Sequence, residues 1–104
     1  MEYIVIEVPD MNDSVSRIVL NGTQYQIRFT WHDISGYWYF SVQDALNNPI
    51  LTGVKIVPMF PLNVFYYSVA AMPSGVFGVF TEQPRIERKD FTEGRAQFVF
   101  IPSL

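Results

Sequence analysis

His32 is the only histidine in the chain, and Asp33 follows it directly. A histidine beside a carboxylate is the general-base half of many hydrolytic sites, so this pair is the first place to look for chemistry. The surrounding pattern is that of a strand, however, and strand neighbours point to opposite faces. Adjacency therefore does not make a dyad, and a surface histidine at a strand end accounts for His32. Seven serines are present, but none stands in a Gly-x-Ser-x-Gly elbow. One histidine and no cysteine cannot supply the usual zinc ligand set. Glu87, Asp90 and Glu93 could pair as the carboxylates of a glycosidase. They stand among Arg85, Arg88, Lys89 and Arg95, and a solvated loop of mixed charge explains them better. No glycine-rich loop joins a strand to a helix, so nucleotide binding has no support. The sequence predicts no enzyme, no metal and no cofactor.

What remains is aromatic surface. Tyr37, Tyr39, Tyr66 and Tyr67 could form a stacking platform for sugars. Tyrosine is equally at home in a subunit contact, where one end is apolar and the other wet. From Ile56 to Thr81 there is no charged side chain. That is about the length of a membrane span, but Pro58, Pro61, Pro73, Gly75 and Gly78 interrupt it and would strand backbone groups in lipid. No membrane span is expected. A large bare apolar surface is unusual on a free monomer, so the window reads as surface covered by another chain. The candidate interface residues are Tyr37, Tyr39, Phe60, Phe65, Tyr66, Tyr67, Phe77 and Phe80.

The elements that must position these residues show a period of two, the signature of strands. Ile4, Ile6 and Val8 fall on one face of the first segment, and "DMNDS" reads as a loop. Asn21-Gly22 is a strong hairpin signal, because a two-residue I′ turn needs positive φ at both positions. Beyond it Tyr25, Ile27, Phe29 and Trp31 face one way, while Gln24, Gln26, Arg28, Thr30 and His32 face the other. After a turn at Ser35-Gly36, Trp38, Phe40 and Val42 point inward and Tyr37, Tyr39, Ser41 and Gln43 outward. A third turn spans Asn47 to Pro49. Gly53, inside the next strand, signals a bulge. "FYYSVA", "VFGVFT" and "AQFVFIP" read as further short strands. Residues 82–95 hold eight of the charged side chains and read as the most solvated part, with charges that could set register against a neighbour. The expected fold is one all-β domain over residues 1–104, a small antiparallel barrel or sandwich of seven or eight short strands.

Composition agrees. The chain has 104 residues, 49% apolar, with two Trp, six Tyr and nine Phe. That is enough to build a core without metals or disulfides. The net charge of −3 speaks against a nucleic-acid backbone reader, which would want a basic stripe. The absence of cysteine fits folding in a reducing cytosol. The opening "MEYIVIEVPD" has neither the basic start nor the unbroken apolar stretch of a signal peptide.

The run Gly36, Trp38, Tyr39, Val42, Asp44, Asn48, Pro49, Ile50, Leu51, Gly53, Val57 and Pro58 resembles the small plug proteins of contractile-tailed phage baseplates, of the cyanophage type. Gly22, Tyr25, Ile27 and Phe29 are similar to the segment that precedes this run in the family, and "DFTEGRAQFVF" to its closing loop and strand. The resemblance covers most of the chain and departs in "MFPLNVFYYSVAAMPSG", where the family pattern is a shorter, more polar link. It implies a structural protein of the virion, assembled in the host cytoplasm. It further implies several copies at the baseplate hub, against hub and spike proteins and the tail-tube or tape-measure end, with no catalytic or cofactor residues. The alternative is a small carbohydrate-binding β-module for host recognition, for which Tyr37 and Tyr39 would need to lie flat and exposed.

Overall fold

The computed structural model describes residues 2–58, 62 and 73–102. They form seven strands and no helix: β1 (Ile4–Ile6), β2 (Asp13–Leu20), β3 (Thr23–His32), β4 (Tyr37–Asp44), β5 (Pro49–Lys55), β6 (Gly75–Thr81) and β7 (Ala96–Pro102). A three-stranded sheet in the order β1-β7-β6 packs against a four-stranded sheet in the order β2-β3-β4-β5. Every strand pairing is antiparallel. The architecture is a sandwich rather than a closed barrel, which decides between the two forms the strand spacing allowed. The expected strand "FYYSVA" lies outside the described residues.

The hairpins follow from their turn residues. Asn21 and Gly22 take φ of 53° and 78°, the paired positive values of a I′ turn. That turn fixes the β2–β3 register from Leu20↔Thr23 to Asp13↔Thr30. Strand β2 begins inside the segment expected to be a loop, because Asp13 lies on the outer face held by Arg28 while Ser14 and Ser16 face inward. Short polar side chains on an inward face hide a strand from a reading based on hydrophobic alternation. At the β4–β5 turn, Asp44 Oδ1 accepts the backbone N–H groups of Leu46 and Asn48, each at 2.9 Å. Asn47 beside them adopts a φ of 67°.

The expected bulge at Gly53 is present. Between Phe40↔Val54 and Val42↔Leu51 the β5 strand carries Thr52 and Gly53 opposite Ser41 alone. The φ of Gly53 is 62°, and its N–H bonds to Ser41 Oγ at 2.9 Å. A second shift places Ile50 between Leu51 and Pro49, so that Ile50 and Leu51 are both buried although adjacent.

The core is a cluster of rings between the sheets. Phe98 on β7 lies 5.1 Å from Phe29, 5.0 Å from Phe40 and 5.9 Å from Phe77, measured between centroids. Phe77 is also 5.0 Å from Phe100. Such pairs contribute about 0.5–1.5 kcal/mol each beyond their area burial. The alternation read along β3 and β4 holds: Tyr25, Ile27, Phe29, Trp38, Phe40 and Val42 are buried. Trp38 carries a visible cost, since its indole N–H finds no acceptor among the described residues.

Candidate functional site

Three surfaces lie outside this core. The first is the segment between β6 and β7, residues 82–95. Most of its charged side chains are exposed, as its composition suggested, but the segment is anchored to the core. Ile86 is buried in the core, Phe91 packs against it, and Asp90 is only 2% exposed. Asp90 organises the segment: Oδ2 accepts the Glu87 N–H at 2.7 Å and Oδ1 the Arg95 Nε–H at 2.7 Å. Its carbonyl oxygen accepts the N–H groups of Arg95 and Ala96. The remaining cations reach across the end of the sandwich. Arg85 donates to the carbonyl oxygens of Ser35 and Gly36 at 3.0 and 2.7 Å, pinning the β3–β4 turn. Lys89 binds Asp10 at 2.7 Å, and Arg88 lies 3.0 Å from the same carboxylate while donating to Asn12 Oδ1. These charges are therefore engaged within the chain, and the segment acts as a clasp across the end of the sandwich.

The candidate carboxylates are bound to neighbouring groups. Asp90 is bound by Arg95 and the Glu87 N–H, and Glu93 accepts Arg95 NH2 at 2.9 Å. Asp33 accepts the Trp31 indole N–H at 2.6 Å, while His32 stacks on Tyr39, so the two adjacent residues share no site. Among the described residues, no group of three or more His, Cys, Asp or Glu side chains is placed to hold a metal ion. No helix there is long and apolar enough to cross a membrane.

The second surface is the outer face of the four-stranded sheet, polar and aromatic. Lys55 Nζ stands 4.1 Å and the Arg85 guanidinium 4.2 Å from the centroid of the Tyr37 ring. The His32 and Tyr39 rings lie 4.4 Å apart, tilted by 36°. Cation–π contacts of this kind hold a ring in place. Tyr37 thus lies under two cations, which compete with a sugar for its ring. Farther along, Arg28 forms a two-pronged ion pair with Asp13 at 2.7 and 2.6 Å. Hydrogen bonding to Arg28 holds the Asp13 carboxyl below its ordinary 3.8 and raises the Arg28 guanidinium. The Lys89 hydrogen bond lowers Asp10 in the same sense, and the Asn48 side chain and N–H lower Asp44.

The third surface is the outer face of the three-stranded sheet. Val5 pairs with Val99, Val99 with Gly78, and Val76 with Ile101. Tyr3 and Phe80 meet edge to face on it at 4.9 Å. Tyr3 is 45% and Val5 51% exposed. Gln97 is the one polar side chain among the described strand residues of this face, and none of them is charged.

Over residues 1–103 the sequence matches a protein-family model described as cyanophage baseplate Pam3 plug gp18. The chain belongs to this baseplate plug family. The search of curated proteins returned no match. The family is one of baseplate structural proteins of the phage virion, in agreement with the resemblance read from residues 22 to 58.

Within this plug fold the candidate interface residues do not form one patch. Tyr37 and Tyr39 lie on the outer face of the larger sheet and Phe80 on that of the smaller. Phe77 is fully buried in the ring cluster. Phe60, Phe65, Tyr66 and Tyr67 lie outside the described residues. Tyr3 and Val5, on the apolar outer face, were not singled out, although their alternation with Ile4 and Ile6 was visible. Lys55 and Arg85, which flank Tyr37, carried no local signal, because Arg85 reaches it from a different part of the chain.

Proposed function

We propose that this plug-family chain acts as a steric, non-enzymatic element at the central hub of the baseplate. In this reading a single β domain sits in the tail lumen, several copies to a virion, after assembly in the host cytoplasm. The apolar outer face of the three-stranded sheet packs on hub or spike protein. The tyrosine-bearing face of the larger sheet turns toward the tail-tube or tape-measure end. The observation that supports this is the contrast between those faces: one apolar along its strands and exposed at its β1 edge through Tyr3 and Val5, with Glu7 at its rim and Val99 buried at its centre, the other polar and studded with fixed rings. A stable contact favours the first kind of surface, with charged residues depleted from its centre.

The experiment is co-purification of the chain with the hub protein from the same tail, with complex mass read by light scattering. Val5→Asp places a charge on the β1 edge of the apolar face, on a half-exposed side chain where the fold tolerates it. It is expected to abolish the hub complex while far-UV circular dichroism stays unchanged. Tyr39→Ala is expected to leave the hub complex intact. A hub complex that survives Val5→Asp would overturn the assignment of that face.

A further inference from the structure

The two sheets end in strands of very different kinds. Strand β5 opens with Pro49 and carries two register shifts, devices that discourage pairing by another chain. Strand β1 has only three residues, and on β6 the Phe77 carbonyl accepts the Leu62 N–H at 2.8 Å. Strand β2 is eight residues long, regular in register, and paired on one side only among the described residues.

The turn chemistry fixes which backbone groups of β2 are free. Leu20 and Thr23 flank a two-residue turn, so they form a hydrogen-bonded pair, and such pairs alternate along an antiparallel ladder. The even-numbered residues of β2 therefore bond to β3. The bond from Trp31 N–H to the Asn12 carbonyl at 2.8 Å continues the same phase. The N–H and C=O groups of Asp13, Val15, Arg17 and Val19 point away from β3, toward an edge unpaired among the described residues. Their side chains are exposed, Val15 at 60% and Val19 at 63%, with Met11 just ahead at 54%. Arg17 is also the one described cation without a partner. Arg28, Arg85, Arg88, Lys89 and Arg95 form ion pairs, and Lys55 lies over Tyr37.

We infer that the free edge of β2 pairs with a second copy of this chain, the two β2 strands joining antiparallel about a two-fold axis at Val15. In this register Val15 faces Val15 of the other copy, and Arg17 faces Asp13, whose carboxylate Arg28 of its own chain also holds; Val19 lies toward Met11, in the bend just ahead of β2. The pattern is its own partner, as a two-fold contact requires. Neighbouring registers match less well. One sets Arg17 against Arg17, opposing like charges. Another sets Arg17 against Val15 and Asp13 against Val19. The same operation turns toward each other the two grooves between β1 and β2, each about 310 Å³ and lined by Ile4, Ile6, Ile18 and Leu20. The result is one eight-stranded sheet crossing the dimer. It involves neither outer-face partner proposed above, so hub binding and self-pairing can fail independently.

The test is sedimentation of the purified chain across a concentration series at low salt. A species of twice the chain mass is expected, weakened by added salt because the Arg17–Asp13 contacts are exposed. Val15→Lys, which sets two cations face to face, is expected to weaken the dimer about five-fold, and Arg17→Asp about ten-fold. Val15→Pro removes an N–H that β3 does not use and is expected to abolish pairing; Val15→Lys keeps the test decisive if the proline variant does not fold. The chain has no cysteine, so Val15→Cys gives a single attachment point. A short bismaleimide is expected to link two such chains, while Gln97→Cys on the far sheet is not linked. A single-chain mass throughout the series overturns the inference. So does a dimer that is indifferent to Val15→Lys and not cross-linked through Val15→Cys.

Discussion

Asp90→Ala should be the most destabilising change at a charged residue of this segment, although the residue reads in sequence as one of several interchangeable surface charges. Its side chain is 2% exposed and makes two charge-assisted hydrogen bonds, to the Glu87 N–H and to Arg95 Nε. Bonds to charged groups contribute about 1.5–3 kcal/mol each. The Arg95 side chain is 43% exposed and can turn to water when its partner is lost, so that bond is discounted to about 1 kcal/mol or less. The Glu87 N–H is left without an acceptor, at about 1–3 kcal/mol. Together these give roughly 3 kcal/mol, which for a domain of this size lowers Tm by roughly 15 °C. Urea unfolding followed by tryptophan emission reads it directly, because Trp38 lies 6.3 Å from Phe91 of the same segment and reports its detachment. Glu93→Ala, a change at a mostly exposed carboxylate bound to the same arginine, should stay within about 0.5 kcal/mol of wild type. The reasoning fails if Asp90→Ala costs no more than Glu93→Ala.

Two further predictions concern acid and backbone. The carboxyls of Asp10, Asp13 and Asp44 are held below their ordinary 3.8 in the folded state. The stability they contribute is fully present above that value and is lost as pH falls through the lower folded values. Thermal unfolding should thus be nearly flat from neutral to about pH 5 and weaken steeply only below about pH 4. Asp10→Asn with Asp44→Asn should be less stable at neutral pH and flatten that acid limb; an unchanged limb would count against these carboxylates as its source. At Gly75 a Cβ would strike the Ile101 carbonyl and the Phe100 ring, whereas at Gly22 it would meet open space. Gly75→Ala should therefore cost well over the ~1 kcal/mol of left-handed strain that Gly22→Ala incurs, as equilibrium denaturation of the two variants would show.

The sandwich was legible wherever side chains alternate by hydrophobicity. Strands β3 and β4 were found nearly residue for residue because apolar and polar types change places along them, and β6 and β7 because they are short apolar runs bounded by turn residues. The hairpin at Asn21-Gly22 and the bulge at Gly53 were legible through backbone demands that few residues meet. Strand β2 was found only in part, since Ser14 and Ser16 face inward and Val15 and Val19 outward, the reverse of the usual code. The clasp was hidden for a different reason. Asp90, Arg85 and Lys89 find partners both near and up to 79 residues away in sequence, and no local pattern distinguishes a charge bonded across the molecule from one left in water. Phe77 illustrates the same limit from the apolar side, since an uncharged stretch does not say which of its rings face the interior.

The clasp also bears on how this protein can meet its neighbours. Its four cations and Arg28 are held by carboxylates of the same chain, and Lys55 is laid over Tyr37. Little positive charge is left on the described surface to steer or orient a partner, apart from Arg17 on the β2 edge. Contacts through the face of Tyr3 and Val5 then depend on apolar burial, which salt does not screen, whereas pairing through β2 includes exposed ion pairs, which salt does. A subunit built this way separates its two means of association by their physical basis. The ionic strength at which hub binding persists while self-pairing fades would reveal whether both surfaces act as argued.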